Sequence, residues 1–304
     1  MTGGGAASLA FGKEQSFTGS LTGAPDYWAF GRNPTLTELS LENQLQRLDE
    51  ADAVESVESV KQNFEGAVAV EAVVSADVHG DVQDLVFNDS GTGFVSGRPA
   101  SGRIFAGIDY LDGTAERELI GCIPVDYSVT YEQGGMTTYS LSMLYADEQE
   151  ATSITPTGVT QVTDGSSVPF HGTTLTIDAA DVTKLQSATL SISNIARFQR
   201  GGETTPVDAV IAAPETTLEA SAIFTGPETR LDLAYGGGSV NEPQDQLSSV
   251  TGSFSLTSKG GASVTTYDLP KLKPDSYQWA DLIDAETDLT DPTTFHVNGG
   301  VTVS

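Results

Sequence analysis

The residues best able to do chemistry are few. Of the three histidines, His79 lies in Asp77-Val-His-Gly-Asp81, whose imidazole and two carboxylates are donor types for a divalent cation. His171 and His296 stand far off in sequence, and neither an HExxH spacing nor a two-histidine, one-carboxylate spacing occurs. The segment is therefore expected to be a surface turn ahead of a helix over Val78 to Phe87. Asp77 or Asp81 would cap that helix, because a carboxylate satisfies amides left unpaired at its start. Asp284, Glu286 and Asp288 have the alternate spacing of a calcium loop, but Leu289 occupies the sixth position, where such a loop needs glycine. A solvated acidic loop is the expectation, and loose cation binding from concentrated salt stays open. Gly236-Gly-Gly238 is not followed by Lys and a hydroxyl residue, and Gly3-Gly-Gly5 is not either, so neither reads as a phosphate cradle; both are expected to be flexible loops.

Covalent catalysis lacks its parts. No GxSxG elbow occurs, and three histidines leave little with which to build a triad. Paired carboxylates for glycoside cleavage cannot be singled out among 42 acids. Cys122, the single cysteine, excludes an internal disulfide and a cysteine zinc site, and is expected to be a small buried hydrophobe in the apolar run Leu119 to Val125. Trp28 in Asp26-Tyr-Trp-Ala-Phe30 and Trp279 in Tyr277-Gln-Trp279 could stack on sugars or bases, but are read as packing a domain edge or a subunit contact. No enzyme activity, cofactor or metal is expected.

What must position these residues is a β-rich scaffold. The 304 residues suggest two domains with a packed core each. Short alternating apolar runs bounded by Gly, Pro, Asn and Asp read as half-buried strands: Leu36 to Leu41, Ala67 to Val74, Arg103 to Leu111, Cys122 to Tyr131, Thr138 to Tyr145, Thr173 to Ile177, Ala188 to Ile192, Thr217 to Phe224, Ser253 to Thr257, Val264 to Leu269 and Phe295 to Val303. Helical signals are confined to Val78 to Phe87 and a short turn over Asp178 to Leu185. The Thr/Ser/Gly-rich stretch 151–167 reads as a linker between a first domain, 1–150, and a second, 168–304. No apolar stretch approaches a membrane span, and the glycine-rich start has no features of a signal peptide.

Charge is the strongest compositional feature. With 42 acids against 14 bases the net charge is -28. The excess runs through both halves, 24 acids to 7 bases in residues 1–150 and 18 to 7 in the rest. Concentrated salt, with a screening length of about 3 Å at 1 M, would remove most of the self-repulsion, so a halophilic source fits, against a merely acidic mesophilic one. Tight binding to phosphate backbones is disfavoured, since that affinity comes from Lys and Arg.

The two halves repeat faintly. Glu38-Leu-Ser-Leu-Glu-Asn43 reads against Thr189-Leu-Ser-Ile-Ser-Asn194, Glu71-Ala72 against Glu219-Ala220, Leu85-Val-Phe87 against Leu233-Ala-Tyr235, and Pro124 against Pro270. Their shared order and slowly drifting offset point to a duplicated domain, against two unrelated β-domains. Each half carries a long gap early in its strand series, Gln46 to Gln62 and Gln199 to Pro214, and loops of that length inside a compact domain are commonly functional.

Three segments, Leu36-Thr-Glu-Leu-Ser-Leu-Glu-Asn-Gln-Leu-Gln-Arg47, Gln62-Asn-Phe-Glu-Gly-Ala67, and Leu175-Thr-Ile-Asp178 with Leu185 to Asn194, resemble the major tail tube proteins of tailed viruses, of the haloarchaeal-virus type. The resemblance implies tube-type β-sandwich or barrel domains, two in tandem here, each with a short flanking helix. It implies a virion structural protein, located in the tail and assembled in the host cytoplasm. Its partners would be copies of itself, forming rings stacked into a tube, together with tape measure, tail terminator and baseplate proteins, with transient non-specific passage of DNA and no membrane. Since the family has about six folds per ring, a duplicated chain implies a homotrimeric, pseudo-hexameric ring. The family's inter-ring contact loop maps here onto Gln46, Arg47, Asp49, Glu50, Asp52, Glu55, Glu58 and Lys61, and onto Arg200, Gly201, Gly202 and Glu203. The competing readings are a virion spike or carbohydrate-binding β-sandwich module, and a hydrolase on a β-scaffold.

Overall fold

The computed structural model describes residues 7–22, 27–52, 54–87, 93–94, 97–110, 112–150, 158–226, 230–237, 240–283 and 286–304. It is mainly β. The first half contains β1 (Ala7–Lys13), β2 (Tyr27–Trp28), β3 (Arg32–Glu42), β4 (Gln46–Leu48), β5 (Glu58–Val60), β6 (Glu65–Val73), α1 (His79–Phe87), β7 (Gly102–Tyr110), β8 (Gly113–Glu132), β9 (Thr138–Tyr145) and β10 (Asp147–Glu150). After β11 (Val159–Thr160), the second half contains β12 (Thr173–Ile177), β13 (Ala180–Asp181), β14 (Leu185–Ser193), β15 (Ala196–Gln199), β16 (Asp208–Ile211) and β17 (Glu215–Ala222). It continues with α2 (Arg230–Tyr235), β18 (Val250–Thr257), β19 (Ser263–Tyr277), β20 (Thr293–Asn298) and β21 (Thr302–Val303).

Alternation of apolar and polar side chains, the strongest strand signal in the sequence, becomes literal rows across one antiparallel sheet. Its strands run β3-β6-β9-β8-β14-β17-β20-β19. One row, Leu36, Val70, Leu141, Tyr127, Ile192, Thr216, Val297 and Leu272, lies on the core side and is buried except at its open end, Leu36. The adjacent row, Thr35, Glu71, Ser140, Ser128, Ser191, Thr217, His296 and Lys273, is polar throughout and faces away from the core. A one-residue slip at any strand would exchange the two faces, so the pattern fixes the register. Burying Leu190, Leu218 and Phe295, each 0% exposed, contributes about 1.5–3 kcal/mol apiece.

The sheet joins the two halves directly: β8 pairs with β14, Val129 opposite Leu190 and Tyr127 opposite Ile192. Within each half four strands follow the same order. Leu39, Val68, Met143 and Pro124 stand level in the first, and Leu190, Leu218, Phe295 and Pro274 in the second. Both prolines sit at a register shift, Pro124/Asp126 and Pro274/Ser276, where a residue without an N–H costs the ladder least. The level of Leu39 with Leu190 agrees with the alignment of Glu38 to Asn43 on Thr189 to Asn194. The counterpart of Pro124 is Pro274 rather than Pro270, and Glu219 stands where Ala69 does rather than where Glu71 does. Pattern matching could not see the bulges that set these offsets.

A second layer covers the apolar face. In the first half it is β1, β7 and the start of β8; in the second it is β12, β18 and the start of β19. Cys122 is buried at 1% exposure, as expected.

Three local expectations are overturned. Asp178 to Leu185 is a hairpin, with Asp178 and Ala179 at φ 52 and 60° linking β12 to β13; its acidic residues supply the turn and not a helix start. His79 is 0% exposed inside α1 rather than in a surface turn. Neither proposed aspartate caps that helix. Asp77 accepts from Thr163 N and Oγ1, both at 2.6 Å, and Asp81 pairs with Lys13 at 3.0 Å. The backbone amides of Val78 and His79 donate instead to Ser75 O.

Gly236 and Gly237, at φ 127 and 84°, end α2 by donating to Leu233 O and Asp232 O, a left-handed turn that glycine adopts without strain. In the linker, Val159 and Thr160 pair with Tyr27 and Trp28. Gly3 to Gly5, Gly238, Asp284 and residues 151–157 lie outside the described residues.

Candidate assembly interface

The chemistry-bearing residues are spent on structure. His79 Nε2 lies 3.0 Å from Tyr267 Oη and 3.1 Å from Tyr127 Oη. The two phenols are 2.7 Å apart, and Gln83 donates to Tyr267 at 2.8 Å. Burial lowers the His79 pKa to about 3, so the ring is neutral and pins α1 to both halves. At the head of α2, Arg230 Nη2 lies 3.0 Å from Asp291 Oδ1 while Nη1 donates to Asp291 O at 3.0 Å. Burial raises the Asp291 carboxyl and lowers the Arg230 guanidinium from their ordinary values. Trp28 stacks on Phe11 with Lys13 Nζ 4.9 Å above its ring.

The sheet has two ends, and both are open among the described residues. On one side β3 pairs only with β6. On the other, the last residues of β19 pair only with β20, and the strand direction continues to Ala280, which bridges Thr290. Large apolar side chains are exposed at both ends: Leu36 and Leu41 at 37% and 39%, Trp279 at 47%. Beside β3 lies a groove of about 790 Å³ lined by Leu9, Leu36, Leu39, Ile108 and Ala115, with the Arg117–Glu148 ion pair at its rim.

The two long loops are both hairpins. Gln46, Arg47 and Glu58 lie in the exposed β4–β5 ribbon, and Asp49, Glu50, Asp52 and Glu55 at its exposed tip. The second loop is the β15–β16 hairpin, whose end carries Arg200, Gly201, Gly202 and Glu203. The structure brings the two loops together at Phe64. Its amide donates to Thr204 O at 2.8 Å, its carbonyl accepts from Arg200 Nη2 at 2.9 Å, and Lys61 Nζ lies 5.7 Å from its ring. Arg200 is thus tied to the first half, while the described residues of the β4–β5 tip are exposed. Sequence reasoning read the Tyr277-Gln-Trp279 cluster as a domain edge or subunit contact but did not single out Leu36, Leu39 and Leu41 as edge residues, because in-plane strand order decides which strand lies at an edge.

A family model described as phage tail tube protein matches residues 4–302. No curated protein matches the chain.

Proposed function

Because this chain belongs to the phage tail tube protein family, we infer that it is the ring-forming subunit of a viral tail tube, with two tandem tube folds, 1–150 and 168–304, and three copies per ring. The observation that carries this reading is the β8–β14 junction. Leu190 occupies in its half the level that Leu39 occupies in the first, yet it pairs with Val129 rather than Pro124. Counted along β9 from Met143 to Tyr139, the second set of four strands is displaced by four residues. That is an average stagger of one residue per strand, the ratio of a closed barrel whose strands tilt by about 36°.

Three copies of the eight-stranded sheet, about 24 strands spaced about 4.8 Å apart, close at that tilt with a radius of about 23 Å. The apolar face is covered by the second layer, so the lumen is the polar face, with Ser128, Ser140, Ser191 and Thr217 in one row. Glu38, Glu71, Asp126 and Glu219 share that face. An acidic, hydroxyl-lined lumen gives DNA no counterion-release affinity and lets it slide during ejection. The exposed β4–β5 hairpin carries the contact to the adjoining ring. Electron microscopy of the protein assembled at high salt tests this: cross-sections with six similar folds from three chains are expected. Six identical single-fold subunits, or discrete unstacked particles, would overturn it.

A further inference from the structure

The groove beside β3 has a filled counterpart inside the same chain. Register places Leu36 and Leu39 at the positions of Ala188 and Leu190, and Ile108 and Ala115 at those of Leu256 and Thr265. The four second-half residues are each 1% exposed or less, whereas Leu36 is 37% exposed. What covers them is the first half. Val129 pairs with Leu190, Tyr131 with Ala188, and Gln83 of α1 donates to Thr265 Oγ1 at 2.9 Å.

The covering residues have counterparts of their own at the far end of the sheet. Tyr127 opposite Leu141 matches Tyr277 opposite Thr293, and Thr130 opposite Thr138 matches the Ala280–Thr290 bridge. Trp279 therefore stands where Val129 does. Val129 is 0% exposed against Leu190, while Trp279, with its indole N–H donating to Tyr277 Oη at 2.7 Å, is 47% exposed. α2 packs beside β19 as α1 packs beside β8.

We propose that the groove bounded by Leu9, Leu36, Leu39 and Ile108 receives Trp279 and Tyr277 of a second copy. The end of β19 adds antiparallel to β3, with Trp279 opposite Leu39, Gln278 opposite Ser40 and Tyr277 opposite Leu41. This rests on the ring reading above and specifies its chain-to-chain contact. Two physical constraints select the register. A one-residue slip would turn Trp279 toward the polar face, and a two-residue slip would give the chain junction a stagger different from the internal one, spoiling closure. The pairing also removes both open edges, which otherwise invite uncontrolled association.

Paired cysteines test the register. Leu41→Cys combined with Tyr277→Cys, and separately Leu39→Cys with Trp279→Cys, are oxidised after assembly and run on a non-reducing gel. Covalent trimers as the largest closed product are expected from both pairs, and none from Leu39→Cys with Gln278→Cys, whose side chains point to opposite faces. Tubes that form but link only through the shifted pair, or not at all, would overturn the register while leaving the ring reading standing. A wild-type protein that forms no rings would instead sink the ring reading. A variant that fails to fold is bypassed with Trp28→Phe, which leaves Trp279 as the sole indole. Its emission should shift to the blue on assembly, and an unchanged spectrum in assembled tubes would refute the proposal.

Discussion

His79 in α1 and Tyr267 in β19 are 188 residues apart in sequence and 3.0 Å apart between Nε2 and Oη. With Tyr127 and Gln83 they form a buried polar cluster that crosses from one half of the chain to the other. His79 Nδ1 is buried without a partner among the described residues, so the cluster's contribution rests on the bonds that converge on Tyr267. Tyr267→Phe removes one shared partner from three groups and should cost about 1–3 kcal/mol, read as a lower urea midpoint with an unchanged slope.

The same cluster makes the fold acid-sensitive. The His79 pKa is lowered from 6.5 to about 3 by burial, so as pH falls through that interval the unfolded chain takes up a proton that the native one refuses. Stability must then fall by about 1.4 kcal/mol per pH unit from this group. His79→Gln should lose that slope. Between pH 6.5 and pH 4.5 wild type is expected to lose roughly 2–3 kcal/mol more than the variant, and parallel curves would count against a buried neutral imidazole.

At α2, Arg230→Met would strand the Asp291 carboxylate in a buried site. A loss of about 3–5 kcal/mol is expected at pH 7. Because the native Asp291 pKa is already raised, and the variant removes the Arg230 charge that opposes that rise, protonation on lowering the pH should recover part of the loss. The difference in unfolding free energy between wild type and variant at pH 7 and pH 5 measures it.

Joining Leu48 to Glu58 through an Asn-Gly turn would remove the tip of the β4–β5 hairpin, whose described residues are all exposed. Such a two-residue turn suits the ribbon, and subunit stability should change by no more than about 0.5 kcal/mol. Tubes should be shorter or absent while rings persist, as seen by microscopy alongside circular dichroism.

The net charge of -28 should make the melting temperature rise with salt, as the screening length contracts from about 10 Å at 0.1 M to about 3 Å at 1 M. A melting temperature independent of salt would show that the acids are not a burden on the fold.

Much of the scaffold was determined by the sequence alone. Period-two alternation in Thr138 to Tyr145 and Thr173 to Ile177 defined β9 and β12 to the residue, because each side chain's face depends only on its neighbours along the strand. The match of Leu85-Val-Phe87 with Leu233-Ala-Tyr235 falls at the ends of α1 and α2, although the residues around Leu233 carried no helical signal of their own. Family membership was likewise legible, carried by Leu36 to Arg47 and Leu185 to Asn194. Tertiary structure decided the rest. Whether His79 was a surface turn or a buried anchor depended on Tyr267, far along the chain. Whether Asp178 to Leu185 curled into a helix or a hairpin depended on β18, which pairs with β12. Leu39 and Leu190 have the same local sequence pattern, yet one borders a groove and the other is sealed under Val129. Hydrophobic periodicity reports which face of a strand is covered, but which strands lie side by side is set by long-range pairing that no local pattern encodes.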